Sequence, residues 1–301
     1  MTDTPLVSIV IASVNRMPAI GECLDAIVNQ KGDVPYEVLV VDRCGEPTRA
    51  EIRKRFPREN ITVIAAPENT SIPKLRATGM TRAKGRLVAI LEDHCNVVPT
   101  WLEEIQRLHA AGHQVMGGPV ENAAVDRITD WAVFFCEYAT FMSPTPRGVV
   151  SSVAGSSAIY DRRALERIGP ALYDEVWEGF MHQKLAGMGI QFYSDPALTV
   201  FHKKEFGFWY FMSQRYHYSR SFAGTRLGDA PTWKRMAYGG ATALLPPLLL
   251  WRMTSTIWPK RDHRKRFLAA VPLICAFLAS YAWGEAVGAV FGPGDSLARV
   301  E

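Results

Sequence analysis

The residues able to do chemistry in the first half of the chain stand at regular places. Glu92, Asp93 and His94 come together directly after the apolar run 87–91. Two carboxylates and an imidazole in sequence offer enough donors for a divalent cation, and a cation held there would neutralise a diphosphate. Ser13, Asn15 and Arg16 follow the apolar run 7–11, and Asp42 follows the run 37–41. A blander origin gives the same triplet: Asp93 or Asn96 would cap the helix after Pro99, leaving His94 idle. Spacing alone does not choose between the two.

Scattered groups of this kind need a frame that gathers strand ends. The spacing predicts strands at 7–11, 37–41, 61–65 and 87–91, alternating with helices at 15–30, 48–56, 72–83 and 99–111. Ile20, Cys23, Leu24, Ile27 and Val28 share one helical face in the first helix, and Leu102, Ile105 and Leu108 share one in the last. The third helix is expected despite Gly79. Such alternation implies an α/β fold with a mainly parallel sheet, whose ligands bind at the carboxyl ends of the strands. The exits carrying Ser13, Asp42 and Glu92 would then converge on one crevice.

The 301 residues are 48% hydrophobic and 21% charged, which excludes a disordered or fibrous chain. A net charge of +4 is too mild to point to nucleic acid, and none is expected as a partner. Five cysteines form no CxxC pair, so a disulfide scaffold or zinc knuckle is not expected and a reducing cytosol is. No basic stretch followed by a long apolar run opens the sequence, so no signal peptide is expected and the catalytic part should stay cytoplasmic.

The texture changes near residue 235. Residues 236–251 carry no charge and contain Pro246-Pro247, the run KRDHRKR fills 260–266, and 267–284 are again uncharged before Glu285. Crossing a bilayer as a helix takes about 20 mostly apolar residues. The second segment approaches that length. The first reads as a re-entrant or interfacial element, because the proline pair would break a helix. Buried core helices remain the alternative. The aromatic and basic stretch 206–222 reads as an amphipathic helix at a membrane interface. The chain is therefore divided into a catalytic domain at 1–205, an interface segment at 206–235 and membrane-associated helices at 236–301.

Four segments together resemble the family 2 glycosyltransferases of the GT-A fold. PLVSIVIASVNR is similar to that family's first strand and loop, and VLVVDRCGEPT to its second. Arg76, Gly79, Ala83 and Gly85 fall on its R-N-x-G-x-x-x-A-x-G segment, a register that sets Glu92-Asp93-His94 on the D-x-D metal motif. The resemblance covers residues 5–204. It implies a donor site for a nucleotide-diphospho-sugar at Ala12, Ser13, Asn15, Asp42, Arg76, Glu92, Asp93 and Gly155. It also implies Mg²⁺ or Mn²⁺ held by His94 and Glu92, although imidazole is softer than the carboxylate it replaces. Arg43 replaces a second acid after strand two, and Ala77 replaces an asparagine.

Counting back from Gly189 and Pro196 sets Glu178 on the family's catalytic acid, the group that deprotonates the acceptor, with Asp174 and Glu175 as alternatives. A helix N-terminal acid favoured by the dipole would look the same. His202 is a further candidate for metal or diphosphate contact, and Arg215 and Arg220 for the leaving group. The resemblance implies an inverting transferase acting on a lipid or glycan acceptor at the cytoplasmic face of a membrane. A nucleotidyltransferase or an inactive membrane adaptor that kept the fold are the competing readings. The oligomeric state is not legible.

Overall fold

Strand β1, Val7–Ser13, is buried at every position, as expected of a parallel strand covered on both faces. The computed structural model describes residues 4–169 and 177–300. Asp174 and Glu175 lie outside them. Helix α1 runs from Ala19 to Val28 rather than from residue 15. Arg16 has φ 59° and Pro18 sits at the N-cap, so residues 15–18 form a turn and not a helical start. Strand β2 (Tyr36–Asp42), α2 (Glu46–Arg55), β3 (Ile61–Ala65), α3 (Ile72–Arg82) and β4 (Leu87–Glu92) follow as the alternation predicts.

Next come β5 (Cys95–Val97), α4 (Trp101–Ala110), β6 (Val115–Gly117) and β7 (Val120–Asn122). Helix α5 (Ile128–Tyr138) is followed by β8 (Gly148–Val150), a 3-10 turn at Gly155–Ser157, β9 (Ile159–Asp161) and α6 (Arg162–Glu166). Helix α7 (Glu178–Gly187), β10 (Phe192–Ser194) and β11 (Val200–His202) complete this part. The eight-stranded sheet has the order β3-β2-β1-β4-β9-β6-β10-β8, and its first four strands are all parallel. Strand β9 runs antiparallel between β4 and β6. Strands β5, β11 and β7 make a second, small sheet.

Its core fills with Ile9, Ile11, Leu24, Val38, Val40 and Leu91, all fully buried, from β1, β2, β4 and α1. Gly79 lets α3 approach β1 closely, since a Cβ there would lie 2.3 Å from Val10 Cγ1. That approach carries Arg76, on the same helix, against the strand ends.

The chain divides into two units, Met1–Glu121 with Phe141–Lys203 and Asn122–Thr140 with Lys204–Glu301. Residues 122–140, which include α5, thus group with the C-terminal part. The second unit adds α8 (Phe208–Arg226), α9 (Thr232–Ala241), α10 (Leu245–Ile257) and α11 (Arg264–Phe291). Pro246 and Pro247 lie in the first turn of α10, where missing N–H groups would be unpaired anyway, so they start a helix and do not break one. Helix α8 buries Phe211, Ser219, Ser221, Ala223 and Gly224, contrary to a simple interfacial helix. It lies along α11, where Cβ atoms at Gly284 and Gly288 would come within 2.3 Å of Tyr216 O and Arg220 O. The stretch Arg261–Phe291 is long and apolar enough to cross a membrane, by length and composition alone.

Candidate active site

The exits of β1, β2 and β4 lie side by side, with Ala12 paired in register to Val41 and Glu92, and Ser13 to Asp42. Asp42 is fully buried and wholly engaged. Its Oδ1 accepts from Ser13 Oγ at 2.9 Å, and Oδ2 from Gly45 N at 3.2 Å and Arg49 Nη1 at 3.1 Å.

Asp93 is a clamp on the loop after β1. Oδ2 accepts from the Val14 and Asn15 amides, each at 2.7 Å. Oδ1 accepts from Asn15 Nδ2 at 2.7 Å and from His94 Nδ1 at 2.9 Å. It does not cap α4, whose N-cap is Thr100. Burial opposes its charge, but His94, Asn15 and the Val14 amide hold its pKa below the usual carboxylate range.

His94 is not idle. Its Nε2 faces His202 Nε2 at 2.9 Å, with the rings at 88° to one another. Glu92 Oε2 lies 3.4 Å from the first nitrogen and 4.0 Å from the second. Strand pairing explains the meeting: β11 runs antiparallel to β5 with His202 opposite Cys95, and Lys203 N donates to His94 O at 2.9 Å. With Nδ1 donating to Asp93, a neutral His94 presents a lone pair at Nε2, on the side of His202. Burial disfavours a charged His94, but Asp93 and Glu92 outweigh it and raise its pKa. Burial would likewise raise Glu92, yet His94, Arg76 and His202 hold it far below its ordinary value.

These donors fit a divalent cation. Donor atoms of Glu92, His94 and Cys95 lie within 4.8 Å of one another, and His202 Nε2 points at the same place. Burial, then the Glu92 charge, raise the Cys95 pKa and keep it a thiol. Two imidazoles and a carboxylate suit Mn²⁺ and its transition-metal neighbours better than Mg²⁺.

Arg76 joins this cluster to the residue assigned as the base. Its Nη2 lies 3.0 Å from Glu92 Oε1, and its Nη1 2.5 Å from Glu178 Oε1. Glu178 is in the first turn of α7, 8% exposed, and its Oε2 accepts no hydrogen bond among the described residues. Gly155 touches this side chain: a Cβ on it would lie 2.8 Å from Glu178 Cβ and 3.4 Å from Oε2. The bare backbone expected there to admit a sugar thus also makes room for Glu178.

Sequence reasoning missed two features. His182 stands four residues after Glu178 on α7, and its Nε2 meets Tyr160 Oη at 2.8 Å. Burial pushes its pKa down to about 4. The i, i+4 spacing places both side chains on one helical face and was the available signal. Ser156 and Ser157, next to Gly155, bury hydroxyls without a hydrogen-bond partner among the described residues. Arg215 and Arg220 belong to the second unit. Arg215 lies 4.6 Å over the Tyr281 ring, and Arg220 Nε donates to Gly292 O at 3.3 Å.

Residues 8–169 match the family model described as Glycosyl transferase family 2. Succinoglycan biosynthesis protein ExoO of Rhizobium meliloti (strain 1021) is 29% identical over 123 residues, covering 40% of this chain and 35% of that protein. Uncharacterized glycosyltransferase YwdF of Bacillus subtilis (strain 168) is 30% identical over 101 residues, or 34% of this chain and 37% of that one. The chain thus spans little more than a third of these curated relatives. Among solved structures, mannosyltransferase PcManGT from Pyrobaculum calidifontis, in complex with GDP-Man and Mn²⁺, superposes with a TM-score of 0.57 at 18% identity. That match covers 94% of this chain and 88% of the other. S. aureus TarS 1-349 gives 0.53 at 13% identity, covering 93% and 90%. Both likenesses concern the fold.

Proposed function

The chain belongs to glycosyl transferase family 2, and we propose that it is an inverting enzyme with Glu178 as its base. Glu178 Oε2 takes the proton of an acceptor hydroxyl as that oxygen attacks the anomeric carbon. The bond from the anomeric carbon to the diphosphate oxygen breaks on the opposite face, and the nucleoside diphosphate leaves. The observation carrying this reading is the single Arg76 guanidinium that bridges Glu92 and Glu178. It fixes the base against the strand end where the family's metal motif falls, and it ties up Oε1 while leaving Oε2 for the proton.

Glu92 and His94, with His202, are the residues that would hold a divalent metal. When bound, it supplies positive charge to the departing diphosphate. Mn²⁺ is the preferred ion for this donor set, in keeping with the ion in the mannosyltransferase complex. Ser13, Asn15, Asp42 and Asp93 shape the donor site from behind: their mutual bonds fix the loop after β1 at its rim. We place the enzyme at the cytoplasmic face of a membrane, with a lipid carrier, a glycan or a membrane-proximal alcohol as acceptor. The long apolar helix within Arg261–Phe291 and the succinoglycan relative support the membrane in that placement.

The test is donor hydrolysis by detergent-purified protein across a panel of nucleotide sugars, with Mn²⁺ or Mg²⁺. Release of nucleoside diphosphate that EDTA abolishes is expected for one or a few donors. Inactivity across the panel, with the protein folded, would instead favour an adaptor that kept the fold.

A further inference from the structure

From α8 onward the second unit carries its tryptophans outward. Trp101, Trp131 and Trp177 are buried, whereas Trp209, Trp233, Trp251, Trp258 and Trp283 are between 46% and 78% exposed. On the last three helices these residues belong to stripes. On α11 the exposed positions Leu268, Pro272, Cys275, Ala279 and Trp283 recur at helical spacing along one face. On α10 Leu248, Trp251 and Ser255 do the same, with Trp258 at its C-cap, and on α9 Trp233, Met236 and Gly240. An outer face bathed in water would be charged. Between residues 267 and 284 of α11 there is no charge at all.

Charge identifies what covers these faces. From Thr232 to Arg266 there are eight lysines and arginines against one acid, Asp262. Cations accompany the exposed rings: Lys234 Nζ lies 5.5 Å over Trp233, and Arg264 4.9 Å over Trp258. Tryptophan beside lysine or arginine, next to an apolar face, is the chemistry of the headgroup layer of an anionic leaflet.

We propose that α9, α10 and α11 dock in the plane of one anionic leaflet, and that α11 does not cross the bilayer. This deepens the membrane placement above and is independent of the sugar chemistry. The inner face of α11 decides between lying flat and crossing. Phe277 packs on Phe211 with ring centroids 4.7 Å apart, and Ser280 Oγ donates to Met212 O at 2.7 Å. Glu285 accepts from Arg226 at 3.0 Å and from Tyr238 at 2.7 Å. Helix α8 therefore accompanies α11 along its second half, bringing Arg215, Arg220 and Arg226 with it. A crossing α11 would drag these guanidinium groups into hydrocarbon, which strongly disfavours them. Lying flat, its stripe sinks about 5–10 Å while α8 stays on the water side.

The experiment uses the full chain with vesicles of phosphatidylcholine, alone or with phosphatidylglycerol. Cys275 is exposed within the stripe and takes an environment-sensitive fluorophore once Cys44 and Cys136 are replaced by alanine. Expected are binding to the anionic vesicles, release by alkaline carbonate, and stronger quenching by lipids labelled near the headgroup than by lipids labelled at the chain end. Arg261→Ala and Lys265→Ala should each lower partition about fivefold, and Trp251→Ser with Trp258→Ser should lower it on both vesicle types. Carbonate resistance with deep quenching would overturn the flat arrangement while keeping the membrane. Absence of binding to either vesicle, with donor hydrolysis intact, would remove the membrane and leave the enzyme. A sedimenting dimer that hides Cys275 from labelling and ignores vesicles would show a second copy covering the stripe, and would overturn the proposal too.

Discussion

Replacing Gly155 by alanine adds one methyl group against the side chain assigned as the base. The backbone there is not left-handed, so alanine meets no conformational barrier of its own. The obstacle is Glu178: the new carbon would lie 2.8 Å from its Cβ, 3.1 Å from its Cγ and 3.4 Å from its Oε2. Carbon atoms settle at about 3.5–4.0 Å, so the first turn of α7 or the Gly155 turn must yield by close to an ångström. Overpacking of this kind costs about 1–3 kcal/mol of stability. A misplacement near 1 Å lowers turnover by about 10²-fold. Donor affinity should change little, because Ser13, Asn15 and Asp42 lie on other elements. The assay is kcat with saturating donor, alongside calorimetric donor binding and a melting curve. A Glu178→Gln background separates the mechanisms: if Gly155 acts through Glu178, adding Gly155→Ala there should leave residual turnover unchanged. Turnover within about twofold of wild type for Gly155→Ala alone, against the ~10² expected, would refute the reasoning.

Glu178→Gln by itself should keep nucleotide binding and lower kcat by about 10²–10⁴-fold, read by product release under saturating donor. His94→Ala and His202→Ala should each weaken Mn²⁺ binding in a calorimetric titration by at least the ~10–100-fold that loss of an outer-shell partner brings. An unchanged titration for either would exclude that ring. His182 sets a pH dependence. Its folded pKa of about 4 lies below the ~6.5 of an unfolded imidazole. As pH falls from 6.5 to 4 the unfolded chain takes up a proton that the folded one refuses, so stability drops, by about 3 kcal/mol at most. Melting curves of His182→Gln should lack that part of the slope. Ser157→Ala should raise the melting temperature slightly, by removing a buried unpaired hydroxyl, yet raise KM for donor or acceptor if that hydroxyl meets substrate.

Which parts of this architecture the sequence reveals follows from how local their causes are. Strands β1, β2 and β4 are legible because a parallel strand buried on both faces reads as an unbroken apolar run, and each ends at a polar residue that belongs to the crevice. The start of α1 is not, since the turn at Arg16 to Pro18 rests on a left-handed residue that composition does not mark. Strands β5 and β11 have three residues each, too few for any periodicity, so the pairing that brings His202 to His94 has no signal in the chain.

The same limit separates Glu92 from Asp93. Spacing alone presents them as two carboxylates of one triplet, and only the resemblance gives the metal to Glu92 and not to Asp93; consecutive side chains leaving a strand point to opposite sides. Glu92 reaches Arg76 and the two imidazoles. Asp93 turns back to the amides of Val14 and Asn15, and only its remaining oxygen touches His94. One acid thus joins Arg76 and the two imidazoles, and the other holds the loop that frames them. His94 is oriented by the second so that it can serve beside the first. Glu178 shows a similar division: Arg76 holds one of its oxygens, Gly155 gives it room, and in the proposed mechanism the other oxygen takes the acceptor proton.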